Sequence, residues 1–544
     1  MKILWLDINA SFGHASLALP ALHAQEREIT DCVGNTIKTD WSVLSATTQA
    51  DPGLMASQAV AMAPDLVVGT LWLFNHEVVT KILSRIKALR GDIPIVLGGP
   101  EFLGSNESFL RTHPYVDLVF RGEGEEAFWK WLPLSKERQF WGRVEGFCFL
   151  TPNGTYHDGG KARVEQFEAL NPPEQSHFFD VSKPFVQLES SRGCSNHCAF
   201  CVSGSDAPVR NIAMDALEKR LQALRSKNVR EIRLLDRTFN GDARRACSLL
   251  SLFASKFPDM RFHLEVHPAR LTPEIRLLLL AAPAGSLHIE AGVQSLRPEV
   301  LKGCGRSGTV EATLDGLRFL AGNTHFDTHA DLIAGLPGYS LHALLGDIVQ
   351  LASLGVAEIQ LELLKVLPGT RMRAEAAKRQ LCYAPDPPYE VLSSDAMPPE
   401  ALQTAARWSR ILDLFYNTTA FHHLTIALFS YSPSFLTDFL AFLEPLGVLD
   451  KPISLEHRGR LLFAFCERSA PSLCDVVTVA WLKAGLSVQK EPGGRVEPWK
   501  GELPAGAPAD REVKWYRLTM PHSALFLGYD RSRRMNVPLY LLEV

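Results

Sequence analysis

The chain has 544 residues, 46% of them hydrophobic and 21% charged, and a formal net charge of -4. This length is enough for about three domains with separate cores, which excludes a single small module. The charge balance leaves no basic surplus for nucleic acid, and no apolar run reaches the roughly 18 residues of a membrane-spanning helix, so we expect a cytoplasmic protein that binds neither nucleic acid nor membrane.

Short apolar runs alternate with helical patterns over the first 130 residues. The runs KILWLDI, DLVVGT, IPIVLGG and VDLVFRG are typical of buried parallel strands, and HEVVTKILSRIKALR is typical of a helix. The alternation predicts an open, doubly wound α/β sheet whose ligand lies beyond the carboxyl ends of its strands. Gly98, Gly99, Glu123 and Gly124 come after two of these ends. Glycines there let the backbone approach a large ligand, although they also suit tight turns.

A hairpin and a linker come after this first unit. Residues 141–165 read as two short strands around a turn at Pro152, Asn153 and Gly154, and the prolines of NPPEQ then interrupt the chain. We therefore predict a first domain at residues 1–135 and a linker with a hairpin at residues 136–180.

A second series of strand-like runs begins at residue 183, with the sequences PFVQLES, EIRLLD, RFHLEV, SLHIEAGVQ, THADLIAGL and EIQLELLKV. Helical stretches separate the six runs, which predicts a partial parallel barrel over residues 181–385. In such a barrel the chemistry lies at the carboxyl ends of the strands. Cys194, Cys198 and Cys201 fall just after the first run.

These three cysteines form the pattern C-x3-C-x2-C. Thiolates at this spacing are soft ligands that can converge on an iron-sulfur cluster or on zinc. A structural zinc site needs four closed ligands, and His197 lies beside Cys198, where it could hardly bind the same ion. A cubane cluster held by three cysteines keeps one iron open for a further ligand. The pattern favours the cluster, with zinc as the alternative, and the other seven cysteines are expected to be buried small hydrophobes.

The chain from residue 386 onward changes character. Its helical segments carry aromatic residues at core-like spacing, and a Gly/Pro-rich piece leads into KWYRLTM, HSALFLGYD and VPLYLLEV, which read as short antiparallel strands. We predict a C-terminal helical and small-sheet domain at residues 386–544 and find no independent catalytic motif in it.

The cysteine triplet, with Phe200 before its last member and six βα units behind it, resembles the radical S-adenosylmethionine superfamily. The resemblance implies a [4Fe-4S] cluster whose open iron chelates S-adenosylmethionine, with Cys194, Cys198 and Cys201 as ligands and Phe200 beside the cofactor. Reductive cleavage then yields a 5'-deoxyadenosyl radical that abstracts hydrogen from the substrate. It also implies a small-molecule or natural-product substrate, and reduced ferredoxin or flavodoxin as electron donor.

The first domain, with GGPEF and RGEGE after its strands, resembles the cobalamin-binding domain of the cobalamin-dependent branch of this superfamily. VQSLRPEVL and DLIAGLPG fit the same branch, and LELLKVLPGT with PPYEVLSSDAMPPE resembles members that carry an uncharacterised C-terminal domain. The motif D-x-H-x-x-G, which supplies an axial histidine in some cobalamin domains, is absent. His14 is near the right loop and could lie close to cobalt, or could be hydrogen-bonded locally.

Other candidate cofactor residues lie on the predicted barrel strands: Asp236, Glu265, Gln294 and Asp331. By resemblance, Asp236 would lie near the methionine amine, whereas Asn240 or Asp242 beside it would equally suit a helix N-cap. Glu265 and His267 alternate with apolar neighbours and could face the interior, with a salt bridge from Glu265 to Arg233 or Arg270 as the alternative. Glu265 and Gln294 are the stronger candidates for contacts to the ribose and methionyl parts of S-adenosylmethionine. Glu290, like Glu265, could face either a ligand or a salt-bridge partner.

The predicted fold is therefore an α/β chain with an N-terminal Rossmann-like cobalamin-binding domain, a central partial (β/α)6 radical S-adenosylmethionine barrel and an α+β C-terminal domain. The resemblance implies methylation of an unactivated carbon through methylcobalamin. Relatives in the branch use the same parts for oxidative cyclisation or ring rearrangement, and a noncatalytic cobalamin-binding or metal-binding protein is a further alternative.

Overall fold

The computed structural model describes residues 1–204, 208–323, 325–490, 493–502, 507, 513–530, 538 and 540–543. The strands of the N-terminal domain are β1 (Lys2–Asn9), β2 (Ile29–Thr30), β3 (Thr36–Ile37), β4 (Asp40–Thr47), β5 (Leu66–Thr70), β6 (Ile95–Gly98), β7 (Leu118–Phe120), β8 (Phe147–Leu150) and β9 (Tyr156–His157). Its helices are α1 (Ala18–His23), α2 (Pro52–Ala61), α3 (His76–Leu89), α4 (Glu107–Thr112) and α5 (Gly124–Trp131).

The main sheet of this domain has the order β4-β1-β5-β6-β7-β8-β9. Its first five strands are parallel, and apolar clusters cover both of its faces. The strand order reverses between β1 and β5, and a doubly wound sheet binds its ligand at the carboxyl ends beside such a reversal. The predicted Rossmann-like architecture is confirmed.

Two features of this sheet differ from the expectation. Strand β4 pairs in parallel with β1 along its whole length, but the sequence did not indicate it, because an edge strand with half-exposed residues lacks a continuous apolar run. The hairpin β8–β9 pairs antiparallel with β7. The N-terminal sheet therefore continues to His157, beyond the boundary predicted at residue 135.

The strands of the central unit are β10 (Val186–Leu188), β11 (Ser191–Arg192), β12 (Arg210–Asn211), β13 (Glu231–Leu234), β14 (Arg261–Val266), β15 (Leu287–Gln294), β16 (Asp327–Ala334) and β17 (Glu358–Leu363). Its helices are α6 (Met214–Ser226), α7 (Ala243–Lys256), α8 (Pro273–Ala281), α9 (Pro298–Gly303), α10 (Val310–Ala321), α11 (Leu341–Leu354) and α12 (Arg371–Ala374).

Six of these strands form one parallel sheet in the order β10-β13-β14-β15-β16-β17, which confirms the predicted partial barrel. Alternate residues of each strand are buried, as Phe262, Leu264 and Val266 are in β14. The residues between them, such as His263 and Glu265, face the interior of the barrel. The interior wall is therefore polar, which suits a chamber for ligands better than a packed core.

The C-terminal part contains strands β18 (Cys382–Tyr383), β19 (Val391–Ser393), β20 (Arg495–Pro498), β21 (Val513–Thr519), β22 (Ala524–Asp530) and β23 (Tyr540–Glu543), and helices α13 (Pro399–Ile411), α14 (His422–Tyr431), α15 (Phe435–Leu443), α16 (Leu455–Ser469) and α17 (Cys474–Lys483). Strands β20 to β23 form an antiparallel sheet. One apolar core runs without a break from Phe167 in the linker through the barrel to Val477, across the boundary predicted at residue 385.

Among the described residues no single helix is long and apolar enough to cross a membrane. The pair His422–Tyr431 and Phe435–Leu446 passes that test only when taken together, and it bends by 112°.

Candidate active site

The loop after β6 joins the N-terminal sheet to the barrel. A Cβ on Gly369, just after β17, would lie 2.6 Å from the Leu103 carbonyl oxygen, so the two loops are in backbone contact. The hydroxyl of Tyr389 donates a hydrogen bond to the buried carboxylate of Glu101. The loop at the carboxyl end of the N-terminal sheet thus packs on the chain that follows the last strand of the barrel.

The loop after β7 makes a second junction, through ion pairs. Arg210 lies 2.7 Å from Glu123, and Arg192, two residues before Cys194, lies 2.6 Å from Glu125. Glu123 was predicted as a cofactor contact. The structure instead uses its carboxylate for Arg210 and for the Val164 amide. The two sheets therefore present their carboxyl ends to one shared space.

Cys194, Cys198 and Cys201 lie in the loop after β11, at the carboxyl end of the barrel. Cys194 and Cys198 are buried and Cys201 is partly exposed. The loop is fixed by backbone bonds from the Ala199 amide to the Cys304 carbonyl (2.7 Å) and from the Met372 amide to the Ala199 carbonyl (2.8 Å). Three soft donors on one loop, two of them buried, fit an iron-sulfur cluster.

Two groups support the sulfur atoms, and the sequence indicated neither. Arg306 places a guanidinium nitrogen 3.9 Å from the Cys198 sulfur. Burial raises the pKa of the Cys198 thiol, Arg306 opposes the rise, and the neighbouring thiols reinforce it. Asn196 donates its backbone N–H to Cys194 and accepts hydrogen bonds from Arg270 and Ser307, both at 2.9 Å. The Arg306 guanidinium and the Asn196 amide favour the thiolate, in opposition to the effect of burial on the thiol pKa.

Asp236, predicted as a cofactor contact, is engaged in hydrogen bonds within the chain. It is 3% exposed, and its carboxylate accepts hydrogen bonds from both the amide and the hydroxyl of Ser190 and from the Ser191 amide. Its role is to hold the turn before Cys194. Asp242 caps helix α7 through the amides of Arg244 and Arg245, in agreement with the alternative expectation of an N-cap.

Glu265 faces the barrel interior, as expected for alternate residues of β14. Burial raises the pKa of its carboxyl, Arg237 lowers it, and Glu290 raises it further. The suggested salt-bridge partners act elsewhere, since Arg233 lies over the Phe185 ring and Arg270 binds Asn196. Among the described residues Glu265 makes no ion pair, so its carboxylate remains available to a ligand.

Gln294 ends β15 in a strained conformation. Its φ is 70°, in the left-handed region that residues other than glycine rarely adopt, and the register with β16 shifts between Gly292 and Gln294. Strain of this kind persists where the surroundings enforce it, often at ligand sites. Phe200, within the cysteine loop, is partly buried against the barrel core.

His267 is the predicted interior residue that the structure removes from the cavity. It is 2% exposed and its Nε2 bonds to the Ser307 carbonyl at 3.0 Å. Asp331 does face the interior, on β16. Burial, with the nearby Glu290 carboxylate, raises the pKa of Asp331 to about 8.

Exposed aromatic residues mark the carboxyl end of the N-terminal sheet near the strand reversal. Trp72 and Phe74 lie just after β5, are 38% and 48% exposed, and stack with ring centroids 6.1 Å apart. Phe12, after β1, is 76% exposed. Gly99 has a φ of 110°, and a Cβ there would lie 2.6 Å from the Leu71 carbonyl oxygen. Apolar surface left open at a ligand-binding edge fits a large planar macrocycle such as a corrin.

The remaining predicted residues of this domain divide into two groups. A Cβ on Gly98 would meet nothing within 4 Å in the described part of the chain, so the backbone there is open to a ligand, whereas one on Gly124 would lie 3.3 Å from the Leu22 side chain. His14 has local partners: its Nδ1 lies 2.9 Å from the Ser11 hydroxyl, and its ring packs edge-on against Phe185. It lines a cavity of about 460 Å³ beside β1 and β4.

Three family models match successive parts of the chain. The model of the radical SAM superfamily matches residues 188–348, that of the B12 binding domain matches residues 38–130, and that of a protein family of unknown function (DUF4080) matches residues 378–480. These matches coincide with the three regions described above, and they imply a [4Fe-4S] cluster, S-adenosylmethionine and cobalamin as cofactors.

Similar proteins include methyltransferases. An uncharacterized methyltransferase of Pyrococcus horikoshii is 24% identical over 57% of this chain and 68% of its own length. A tRNA-2-methylthio-N(6)-dimethylallyladenosine synthase of Methylobacillus flagellatus is 27% identical over 47% of the chain and 56% of its own. The chain spans about half the length of several further curated relatives.

Two solved structures share the fold. The cobalamin-dependent S-adenosylmethionine radical enzyme OxsB matches with a TM-score of 0.60 and 15% identity, over 90% of this chain and 82% of its own. The radical S-adenosylmethionine methyltransferase TsrM of Kitasatospora setae matches with a TM-score of 0.56 and 17% identity, over 74% and 82%. The chain therefore contains a B12 binding domain, a radical SAM domain and a domain of unknown function, and it shares its fold with cobalamin-dependent radical S-adenosylmethionine enzymes.

Proposed function

We propose that this enzyme methylates an unactivated carbon of a small-molecule substrate, with methylcobalamin as the methyl donor and reduced ferredoxin or flavodoxin as electron source. The observation that carries the proposal is the meeting of the two sheets at their carboxyl ends, through the contact of Leu103 with Gly369 and the pair of Glu123 with Arg210. Ligands bound at both ends would share one space.

The residues of the barrel bind the first two cofactors. Cys194, Cys198 and Cys201 hold the cluster, and Phe200 packs beside it. Glu265 and Gln294 bind the ribose and methionyl parts of S-adenosylmethionine from the barrel wall. When bound, the reduced cluster supplies the electron that cleaves S-adenosylmethionine, and cobalamin supplies the methyl group.

The N-terminal domain holds the third cofactor over its strand ends. Trp72 and Phe74 would pack against the corrin, and the open backbone at Gly98 would allow it to come close. A carbon radical requires a space shielded from water, and the junctions between the domains would form part of its wall. The two named methyltransferases among the similar proteins support the same reaction class.

The test uses the full chain, reconstituted without oxygen and loaded with cobalamin. Reduced protein given S-adenosylmethionine with a deuterated methyl group should form trideuteromethyl-cobalamin and release 5'-deoxyadenosine, both measured by mass spectrometry without a substrate. Cys198→Ala should lose cluster iron and 5'-deoxyadenosine release, whereas Cys382→Ala, at an exposed cysteine, should keep both. Release of 5'-deoxyadenosine with no label on cobalt would overturn the methyltransferase proposal and leave a cyclase or rearranging enzyme.

A further inference from the structure

A second group of ligand-type side chains lies on the barrel wall, away from the cysteine loop. Glu290 projects from β15, and His329 and Asp331 project from β16, on the interior face. One ligand atom from each lies within 4.8 Å of the others. The cysteines lie in the loop after β11, and none of their sulfur atoms belongs to this group.

The spacing of these atoms is that of ligands around one ion. His329 Nε2 lies 3.4 Å from Glu290 Oε2 and 3.6 Å from Asp331 Oδ1. Hydrogen bonds between nitrogen and oxygen are about 2.7–3.2 Å long. Tetrahedral zinc bonds of about 2.0–2.2 Å separate neighbouring ligands by about 3.3–3.6 Å. Accordingly, His329 Nε2 and Asp331 Oδ1 are buried atoms without a hydrogen-bond partner among the described residues, and His329 as a whole is 8% exposed.

Two further histidines orient the group. His288 Nε2 lies 3.0 Å from His329 Nδ1, which leaves Nε2 of His329 as the nitrogen that points at the two carboxylates. His263 Nε2 lies 3.1 Å from Glu290 Oε2. A metal-binding histidine is regularly held by a hydrogen bond at its other ring nitrogen, as His329 is by His288, whereas His263 contacts the same Glu290 oxygen that faces His329.

We propose that Glu290, His329 and Asp331 bind a single divalent transition-metal ion, zinc in the first instance, inside the barrel. An ammonium ligand would need only the two carboxylates. The imidazole nitrogen between them adds a metal ligand, and it favours zinc, iron or manganese over magnesium. Three protein ligands keep a coordination position open for water or an oxygen atom of the substrate. The inference does not depend on the methylation proposed above.

The experiment is zinc binding by the full chain after cluster reconstitution, with zinc, iron and sulfide measured on the same samples. We expect one zinc per chain in addition to the cluster iron. His329→Gln and Asp331→Asn should lose the zinc and keep the iron and sulfide, which also reports that they fold. His288→Gln should weaken zinc binding roughly 10- to 100-fold, the usual effect of removing an orienting partner. His342→Gln, at an exposed histidine of α11, should change nothing.

X-ray absorption at the zinc edge separates this site from the cysteines. Nitrogen and oxygen neighbours without sulfur support the proposal, and Cys198→Ala should then keep its zinc. Sulfur neighbours, or zinc binding that is unchanged in His329→Gln, would overturn it. A third result would also overturn the proposal: wild-type protein does not bind zinc, and methylammonium raises the melting temperature of the wild type but not that of Asp331→Asn. The group would then be an ammonium site.

Discussion

At the scale of single residues, buried hydrogen bonds decide which polar side chains are free for chemistry. Asp236 and Glu265 both lie on interior barrel strands or just after them. The carboxylate of Asp236 accepts hydrogen bonds from Ser190 and Ser191, whereas that of Glu265 accepts none from these residues. A carboxylate that accepts several bonds from the chain cannot also bind a ligand at the same atoms. The difference separates a positioning residue from a candidate cofactor contact.

Replacing Asp236 with alanine should therefore loosen the cysteine loop. Three donors lose their acceptor, at a cost of about 1–3 kcal/mol for each one left buried and unsatisfied. We expect a lower melting temperature and less iron per chain after reconstitution. Asp242→Ala is the control, since it removes only the cap of α7, which costs about 1 kcal/mol, and should keep full iron content. Equal iron in both variants would contradict the assigned role.

His267 makes stability depend on pH. Burial, with Arg306 and Arg270 close by, lowers the pKa of His267 from its ordinary value to about 3. The folded state holds the ring neutral while the unfolded state takes up a proton below about pH 6.5, so the contribution is full above that pH and is lost as pH falls toward 3. Between pH 6.5 and 5 the loss is about 2 kcal/mol.

The measurement is the melting temperature of wild type and His267→Gln at pH 7, 6 and 5. The wild type should lose more stability than the variant over this range. Parallel pH profiles would show that His267 does not carry this titration.

The sequence could not predict which residues a given side chain contacts. It predicted that Gln294 and Asp331 lie on the barrel wall, because alternation along a strand sets the facing of each residue. It missed the contact of His329 with Glu290 and with His288, since these residues meet only through the register of neighbouring strands. Arg306 was missed because nothing local to its position distinguishes it from a surface arginine.

At the scale of elements, the residues just past the end of a strand matter as much as the strand. All six barrel strands were predictable from their apolar runs, whereas β4 was not, because its residues are half exposed. The aromatic residues after β5 were a readable signal. Trp72 and Phe74 extend the apolar run DLVVGT past the end of the strand, and a run that leaves bulky side chains in solvent indicates a partner surface.

Replacing both Trp72 and Phe74 with serine should weaken cobalamin binding and leave the fold intact. Losing the contact of an aromatic side chain costs about 1.5–3 kcal/mol, so affinity should fall by at least tenfold. Equilibrium filtration with hydroxocobalamin measures it. Leu277→Ser, at an exposed apolar residue of α8 in the barrel, is the control and should bind normally. Unchanged affinity in the double variant would place the corrin elsewhere.

At the scale of the whole molecule, the N-terminal sheet is joined to the barrel by charges as well as by loops. The two oxygens of Glu123 accept hydrogen bonds from two nitrogens of Arg210, at 2.7 and 2.8 Å, and both side chains are largely buried. Breaking a buried ion pair is costly because it leaves the remaining charge buried without a partner.

Glu123→Gln should therefore uncouple the two domains. The expected cost is about 3–5 kcal/mol, seen in calorimetry as a separate, earlier transition for one domain. Glu107→Gln is the matched control, since the pair of Glu107 with Arg111 is exposed within α4 and is worth less than about 1 kcal/mol. A single unchanged transition in Glu123→Gln would mean that the loops alone hold the domains together.

The apolar core that runs from Phe167 to Val477 limits how the chain can be cut. Trp408 and Phe415, on the far side of residue 385, belong to the same core as the barrel strands. A shortened protein ending at residue 385 would therefore expose the apolar side chains of the barrel that pack on the C-terminal helices. We expect it to precipitate, with or without its cofactors. The small sheet of β20 to β23 packs in apolar clusters outside that core, so its removal would leave the residues of the core from Phe167 to Val477 in place.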